Sequence, residues 1–312
     1  MTDILTITAN PSIDMSTSVP RVMPTHKLRC VVPRRDAGGG GINVARVVRR
    51  LGADVMAMYP IGGVMGQLLR KLVDQEGIPS LTVTIAGETR EDMTVLEEAT
   101  GQQYRFILPG PHFSEDEWRG CLDVLARLDR RARLVVASGS LPPGMPDDFY
   151  ARIARGAKAA GARIIVDTSG APLKAALEAG VYLIKPSLRE FRELMGGGLN
   201  TEQEWIAASR SLVDTGRTEI VALSLGEQGA LLVSRDLTLR AKALPITPVS
   251  VVGAGDSFLG GMIWSLAAGQ PLETAFRYGI AAASATLLAS GTELARPEDV
   301  ERLVHDVEVR AL

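Results

Sequence analysis

Two hydrophobic rhythms alternate along most of this chain. Short apolar, β-branched runs of about five residues are followed by longer stretches with apolar residues at three- and four-residue spacing, the signatures of buried strands and amphipathic helices. The first run, Ile4–Ala9, ends at the turn signal Asn10-Pro11. A glycine-rich segment opens a helix over about 42–51, with Val44, Val47, Val48 and Leu51 on one face. A strand at 55–59 and a helix at 65–76 follow. From 114 onward the pattern predicts helix 114–128, strand 134–138, helix 147–160, strand 163–167, helix 172–178, strand 181–184, helix 188–195, a helix near 202–214 and strand 219–224. Strands near 229–234 and 237–243 then lead to two closing helices, 254–268 and 272–289. Such alternation implies right-handed crossovers and an α/β fold, with a mostly parallel central sheet and helices on both faces.

Two segments break the rhythm. Residues 11–36 read as short strands interrupted by Pro20, Pro24 and Pro33, and 81–108 reads as hairpins with strands at 81–85, 92–97 and 103–108. They predict a small accessory β-sheet lying over one edge of a cleft as a lid. No repeat, low-complexity tract or long linker divides the chain, so residues 1–312 are expected to form one domain carrying that lid.

Composition narrows the chemistry. Of the 312 residues, 34 are Lys or Arg and 36 are Asp or Glu, a net charge of −2 that argues against a general nucleic-acid binder. An anionic substrate must therefore meet a few placed cations. Two cysteines, Cys30 and Cys121, form no disulfide framework, and His26, His112 and His305 are too scattered for a structural zinc site. No apolar run reaches the roughly 18 residues of a membrane span, and the N-terminus lacks the positive start of a signal peptide. The expectation is a cytoplasmic protein with no membrane partner.

The most informative stretch is Gly253-Ala254-Gly255-Asp256, at the joint between a strand-like run and an apolar helix. The unpaired N–H groups of a helix start attract anions, and the macrodipole favours an ionised carboxylate in the first turn. An amide cradle beside a carboxylate suits phosphoryl transfer to a hydroxyl; a capped tight turn is the structural alternative. Neither G-x-x-x-x-G-K-[ST] nor G-x-G-x-x-G after a strand occurs, which removes the two commonest nucleotide-binding loops.

Ala37-Gly-Gly-Gly-Gly-Ile-Asn-Val-Ala-Arg46 and Val251-Val-Gly-Ala-Gly-Asp-Ser-Phe258 resemble the two hallmark motifs of the ribokinase-like sugar kinases, in the phosphofructokinase B branch. Thr8–Asp14, Lys27–Cys30, Gln103–Phe106, Ser138–Gly144, Lys185–Glu190 and Ser224–Ala230 match further segments in the family's order, so the resemblance spans essentially the whole chain. It is nearest to the B-type 6-phosphofructokinases. It implies a ribokinase-like fold, ATP and Mg²⁺ as cofactors, K⁺ as a further one, and a homodimer joined through the lid. The implied activity is ATP-dependent phosphorylation of fructose 6-phosphate to fructose 1,6-bisphosphate. Fructose 1-phosphate or tagatose 6-phosphate as acceptor, and a non-catalytic sugar- or nucleotide-binding regulator, remain the alternatives.

The resemblance also assigns roles. Asp256 is the base, with Gly253, Ala254 and Gly255 presenting amides to the moving phosphoryl group. Asp14, Gly39, Asn43 and Ser138 line the sugar pocket, and Arg90, Arg105, Lys27 and Arg29 supply cations for its phosphate. Lys185, Ser187, Ser224, Gly226 and Gly229 border ATP, and Glu190 holds Mg²⁺ through water. Carbonyls near Ser250, Val252, Thr286, Ala289 and Gly291 match a potassium loop. The chain departs from the family pattern in several places. Ser187 stands where Asn is usual, and Asp92 stands where related enzymes have Asn, an added negative charge that is unhelpful beside a phosphate unless it pairs with Arg90. Ser250-Val251 replaces Asp-Thr, and Glu293 replaces Arg or Ser.

Overall fold

The computed structural model describes residues 3–128 and 132–312. The chain opens with β1 (Ile4–Ile7), β2 (Ser12–Val19), β3 (Arg34–Gly38), α1 (Gly40–Arg50), β4 (Val55–Ile61), α2 (Gly63–Gln75) and β5 (Ser80–Thr84). It continues through β6 (Arg90–Glu97), β7 (Gln103–Ile107), α3 (Glu115–Ala126), β8 (Leu134–Ser138), α4 (Phe149–Ala159), β9 (Arg163–Asp167), α5 (Gly170–Ala179), β10 (Val181–Ile184) and α6 (Leu188–Leu194). The last third comprises α7 (Glu202–Asp214), β11 (Thr218–Ser224), β12 (Ala230–Ser234), β13 (Thr238–Ala241), α8 (Ala254–Ala267), α9 (Leu272–Leu288), α10 (Pro297–Leu303) and β14 (Val309–Ala311).

The strands form two sheets. The larger has ten, in the order β14-β13-β12-β11-β10-β9-β8-β1-β4-β5. From β5 to β11 all neighbours are parallel, and β12, β13 and β14 extend the sheet as antiparallel strands. The strands read as apolar runs because both faces are covered. On one face Ile4, Val136, Ile165, Leu183 and Ile220 pack with α1, α2, α8, α9 and α10. On the other, Leu5, Val135, Ile164, Ile184 and Val221 pack with α3 through α7. The winding reverses at β1, from which the chain spreads to β4 and β5 on one side and, later, to β8 through β11 on the other. Open α/β sheets bind ligands at such a switch point, beyond the carboxyl ends of the strands.

The smaller sheet has the order β3-β2-β6-β7. Its central pair, β2 and β6, is parallel, and its register sets Asp14 opposite both Asp36 and Asp92. One reading of the sequence needs correction. Of residues 81–85, expected in the accessory sheet, 81–84 belong to β5, the edge strand of the main sheet, parallel to β4. A short connection after α2 makes β4-α2-β5 an ordinary right-handed crossover, and the half-exposed Ser80–Thr84 alternation is as natural for a sheet edge as for a hairpin. Two C-terminal elements also went unpredicted: α10, which starts with Pro297 and carries Glu298 and Asp299 in its first turn, and β14, which pairs with β13.

The helix that brings Asp256 into play is tightly seated. An added Cβ at Gly260 would lie 2.7 Å from Val47 Cβ on α1, and one at Gly261 would lie 2.9 Å from Ala282 Cβ on α9. Glycine at these positions lets three backbones approach, fixing α8 against the helix that carries Asn43.

Candidate active site

Consecutive strand ends deliver polar groups to one place. Ser138 closes β8, Asp167 closes β9, Lys185 follows β10 and Ser224 closes β11. Lys185 Nζ lies 3.2 Å from Asp167 Oδ1, and Ser138 Oγ donates to Asp167 Oδ2 at 3.2 Å. An added Cβ on Gly255, at the start of α8, would sit 3.3 Å from Lys185 Nζ. One residue further, Asp256 Oδ2 accepts from Asn43 Nδ2 at 2.8 Å. The two hallmark motifs, some 210 residues apart, therefore meet through a single hydrogen bond (their separation is 213 positions).

Gly253 caps α8 in the left-handed region, φ 77°, where an L side chain is strained. The first intrahelical bond runs from Ser257 N to Gly253 O at 2.8 Å. Ala254 N reaches only Val251 O, at 3.5 Å, and among the described residues Gly255 N and Asp256 N donate to no backbone acceptor. These are the donors a helix start offers to an anion.

The electrostatics follow from burial. Asp256 is pushed up to about 7, first by loss of water, then by the charge of Asp167, with Asp14 adding to it; Asn43 and Lys185 oppose the rise. Burial works against the Lys185 ammonium, but the charges of Asp167, Asp256 and Glu190 outweigh it, and Lys185 stays protonated. Asp14 is lifted to about 6, again mainly by burial, while the Ser12 hydroxyl, donating at 2.6 Å, pulls the other way.

On the sugar side, α1 begins directly against the cluster. An added Cβ at Gly38 would overlap the Asp14 carboxylate, and one at Gly40 would overlap Ser138 Oγ. Gly39 has φ 103° and its carbonyl accepts from Asn43 N at 2.9 Å. Asp14, Gly39, Asn43 and Ser138 are thus brought together with Asp256. Of the cations, Arg90 lies near enough to favour ionised Asp14, but it is not free. Arg90 is committed to Asp92 at 2.9 Å and donates to Leu108 O at 3.0 Å and Asn10 O at 3.2 Å. Asp92 pairs with Arg90, the one arrangement in which its charge is tolerable there. Arg105 lies exposed on the edge strand β7, and Lys27 and Arg29 lie exposed in the 20–33 loop; among the described residues none of the three pairs with a carboxylate.

The opposite flank is built from turns. Ser187 caps α6: its hydroxyl accepts from Glu190 N at 3.3 Å, and Glu190 Oε2 accepts from Ser187 N at 2.9 Å. The Asn-to-Ser departure therefore completes a capping box. Ser187 bridges to Ser224, whose hydroxyl donates to Pro186 O at 3.4 Å. Beyond it, Gly226 (φ 59°) and Gly229 (φ 94°) form a tight turn closed by Leu225 N to Gly229 O at 2.8 Å. The segments 249–252 and 286–291 also meet: Ser250 Oγ donates to Gly291 O at 2.9 Å, Val249 N to Leu287 O at 2.7 Å and Ala289 N to Thr286 O at 3.0 Å, with Val252 N reaching Ser250 Oγ at 3.3 Å. Glu293 turns its carboxylate to Arg34 and Arg296, 3.5 and 2.9 Å away.

Three residues of this region were not singled out from the sequence: Asp167, Asn10 and Arg46. For Asp167 a signal existed, since it ends a predicted strand as Ser138 does. A separate apolar hollow of about 470 Å³ lies between α3 and α4, lined by residues such as Leu122, Leu125 and Ile153, and includes none of these groups.

A Lys185–Asp167 pair, the half-buried Asp256 with its raised pKa and a free helix start thus gather at the carboxyl ends of a doubly wound sheet. The chain belongs to the pfkB family of carbohydrate kinases, whose model matches residues 7–299. It is 47% identical over 299 residues to the ATP-dependent 6-phosphofructokinase isozyme 2 of Mycobacterium tuberculosis, covering 96% of this chain and 88% of that protein. It is also 36% identical over 266 residues to the 1-phosphofructokinase of Xanthomonas campestris, covering 84% and 83%. The structure of phosphofructokinase-2 from Escherichia coli in complex with fructose 6-phosphate superposes with a TM-score of 0.91 at 37% identity, covering 98% of this chain and 99% of that one. That enzyme has also been solved with potassium (TM-score 0.93, 38% identity, the same coverage) and in a tetrameric inhibited form (0.91, 38%, the same coverage). Among the described residues no helix is long and apolar enough to cross a membrane.

The raised Asp256 pKa has a cost in stability. Between the unfolded value of 3.8 and about 7 the native state binds more protons than the unfolded chain, so this group's contribution to stability falls as pH rises through that window. Asp256→Asn removes this half-buried charge. Its melting temperature should exceed that of the unaltered protein at pH 8, by a few degrees on the usual scaling of about 2–4 °C per kcal/mol, and the difference should shrink at pH 5. Thermal melts at the two pH values check this; equal gaps at both would detach the effect from the ionisation.

Proposed function

We propose that the protein transfers the γ-phosphoryl group of ATP to the C1 hydroxyl of fructose 6-phosphate, giving fructose 1,6-bisphosphate and ADP. The observation that carries this reading is the Asp256 carboxylate, half-buried at the start of α8, held by Asn43 and adjoining unpaired helix-start amides. As the C1 oxygen bonds to phosphorus, its proton passes to Asp256. The bond from phosphorus to the β,γ-bridging oxygen breaks, and ADP leaves with the electron pair. The amides of Gly253, Ala254 and Gly255 would stabilise charge on the transferring group, and Lys185, kept protonated by Asp167, would add a fixed cation. Asp14 and Asn43 would orient sugar hydroxyls.

Among the described residues no three metal-type side chains form a cage, which fits Mg²⁺ better than zinc, since Mg²⁺ keeps several waters and takes few carboxylates beside the phosphates. Glu190 would hold it through water by Oε1, which shares its charge with Arg189 at 3.6 Å, because Oε2 caps α6. When bound, Mg²⁺ would neutralise charge along the triphosphate. K⁺ would sit against the carbonyls of 250–252 and 286–291; Gly291 and Thr286 each already accept one hydrogen bond, and a carbonyl keeps a second lone pair for a cation. Ser187, Ser224, Gly226 and Gly229 would border the nucleotide.

The small sheet serves as the lid of a single domain. It exposes Phe106 and Ile107, and the adjoining 20–33 loop exposes Met23, Leu28, Val31 and Val32, apolar residues that a second copy would cover. We therefore read the protein as a homodimer joined through its lids, in which Lys27 and Arg29 reach the partner's sugar phosphate alongside Arg105. Both cysteines are free, which accords with the reducing cytoplasm. One observation favours a second reading, a sugar phosphate of different geometry such as fructose 1-phosphate: Arg90 is neutralised by Asp92.

A coupled assay across fructose 6-phosphate, fructose 1-phosphate and tagatose 6-phosphate should give the highest kcat/KM with the first; preference for either other sugar overturns the substrate assignment. Asp256→Asn should lower kcat by roughly 10²–10⁴-fold, the usual contribution of a general base, while ATP binding by calorimetry persists. In the unaltered enzyme kcat should fall as pH drops through about 7, where Asp256 becomes protonated. Near-normal turnover in the variant refutes the base assignment. Asp92→Asn should release Arg90 and lower KM for fructose 6-phosphate several-fold with kcat little changed; a higher KM would mean that Asp92 holds Arg90 in its binding pose. Val32→Asp with Phe106→Asp should convert dimer to monomer in sedimentation analysis and raise the sugar-phosphate KM, and a dimer that survives both changes places the interface elsewhere.

A further inference from the structure

Arg46 is the largest fully buried side chain among the described residues, and no step above uses it. It stands on α1 one turn after Asn43. Its Nε donates to Glu76 Oε1 at 2.9 Å and its Nη2 to Asp36 Oδ1 at 3.3 Å. Nη1 faces three oxygens: Ala37 O at 3.0 Å, Thr292 O at 3.3 Å and Asn43 Oδ1 at 3.4 Å. The two carboxylates are themselves held, Glu76 by Arg50 at 2.6 Å and Asp36 by Thr292 Oγ1 at 2.6 Å and Arg34 at 2.9 Å. The guanidinium is therefore fixed from several directions by groups on α2, β3 and the loop before α10.

The Asn43 amide lies between this cation and the Asp256 carboxylate. Its carbonyl end faces the guanidinium and its NH₂ end faces the carboxylate. Reversing it would set donor against cation and acceptor against anion, unfavourable at both ends in a low-dielectric site. We infer that Arg46 is a positioning residue for phosphoryl transfer: through the Asn43 amide it fixes the hydrogen bond that holds the reacting Asp256 carboxylate. This rests on the reading of Asp256 as the base.

The consequence concerns the pH at which Asp256 ionises. Asp256 is faced by Asn43 from α1, Asp167 from the end of β9, Lys185 after β10 and Asp14 on β2, and Asn43 and Lys185 favour the charged form. Arg46 also favours ionised Asp14. If Arg46 no longer orients the amide, Asp256 loses a donor and ionises at higher pH. A residue that only stabilised the fold would lower the melting temperature and leave the acid limb of the rate profile in place.

The test is a double-mutant cycle on the acid limb of kcat against pH, with Arg46→Lys, Asn43→Ala and the two combined, each checked for folding by thermal melt. Each single variant should move the limb to higher pH, by about one unit for Asn43→Ala as expected for loss of a hydrogen bond to a charged group. The double variant should match Asn43→Ala alone. An Arg46→Lys limb that stays put while Asn43→Ala moves, or shifts that add in the double variant, overturns the relay. Should Arg46→Lys fail to fold, Glu76→Gln, which loosens the guanidinium at Nε, replaces it in the cycle under the same rule. Failure of the base assignment looks different: no variant moves the limb, and Asp256→Asn keeps its turnover.

Discussion

The site depends on holding three half-buried carboxylates, Asp14, Asp167 and Asp256, close together with a single protonated lysine among them. Burial of an ion costs several kcal/mol, and a nearby charge of the same sign adds to it. The molecule divides the load unequally. Asp167 receives the lysine and a hydroxyl; Asp256 receives only one amide and an adjoining helix start. Burial raises all three acids, and Asp256 reaches about 7, where a carboxylate is both a capable base and available in its ionised form. A fully paired Asp256 would be a more stable and a weaker base.

Holding so many charges close together demands backbone in places where side chains would ordinarily intrude. The glycines of 38–40 bring β3 and α1 onto Asp14 and Ser138, and Gly255 lets α8 pass beside Lys185. The sheet provides the rest. Because β8, β9, β10 and β11 are parallel neighbours, their carboxyl ends line up, and a residue at each end reaches the same cleft without any loop having to be long. The antiparallel strands beyond β11 carry none of these groups and finish the sheet at that edge.

Much of this was legible in the residues. The alternating rhythm gave the parallel strands and most helices to within a few positions, because strands covered on both faces and helices covered on one have distinct periods. The glycine runs marked α1 and α8, and Asp256 stood out by its place in a first helical turn. Other features were hidden for physical reasons. Ser80–Thr84 has the half-exposed alternation of any edge strand, so its sheet cannot be told from its pattern. Arg46 is an ordinary residue type within a helix, and only tertiary burial makes it exceptional. The capping box of Ser187 and Glu190 is a local S-x-x-E signal that the resemblance overshadowed: a departure judged by what it lost toward phosphate is also a gain for the helix it starts.

The arginines show how differently one residue type can be used in a single site. Arg46 is inside, satisfied on every side, and its charge is spent on geometry. Arg90 is partly buried and tied to Asp92, so its charge is balanced before any ligand arrives. Arg105 stands in water on the free edge of the small sheet, its charge uncompensated. A phosphate approaching the cleft would meet the last of these first, at little desolvation cost, and could engage Arg90 only by competing with a carboxylate 2.9 Å away. Affinity for a phosphorylated sugar would therefore be set less by the number of guanidinium groups near the cleft than by how many remain unpaired. The small sheet, where β2 and β6 align Asp14 with Asp92, is where the proposed balance between holding a sugar hydroxyl and holding a phosphate would be struck.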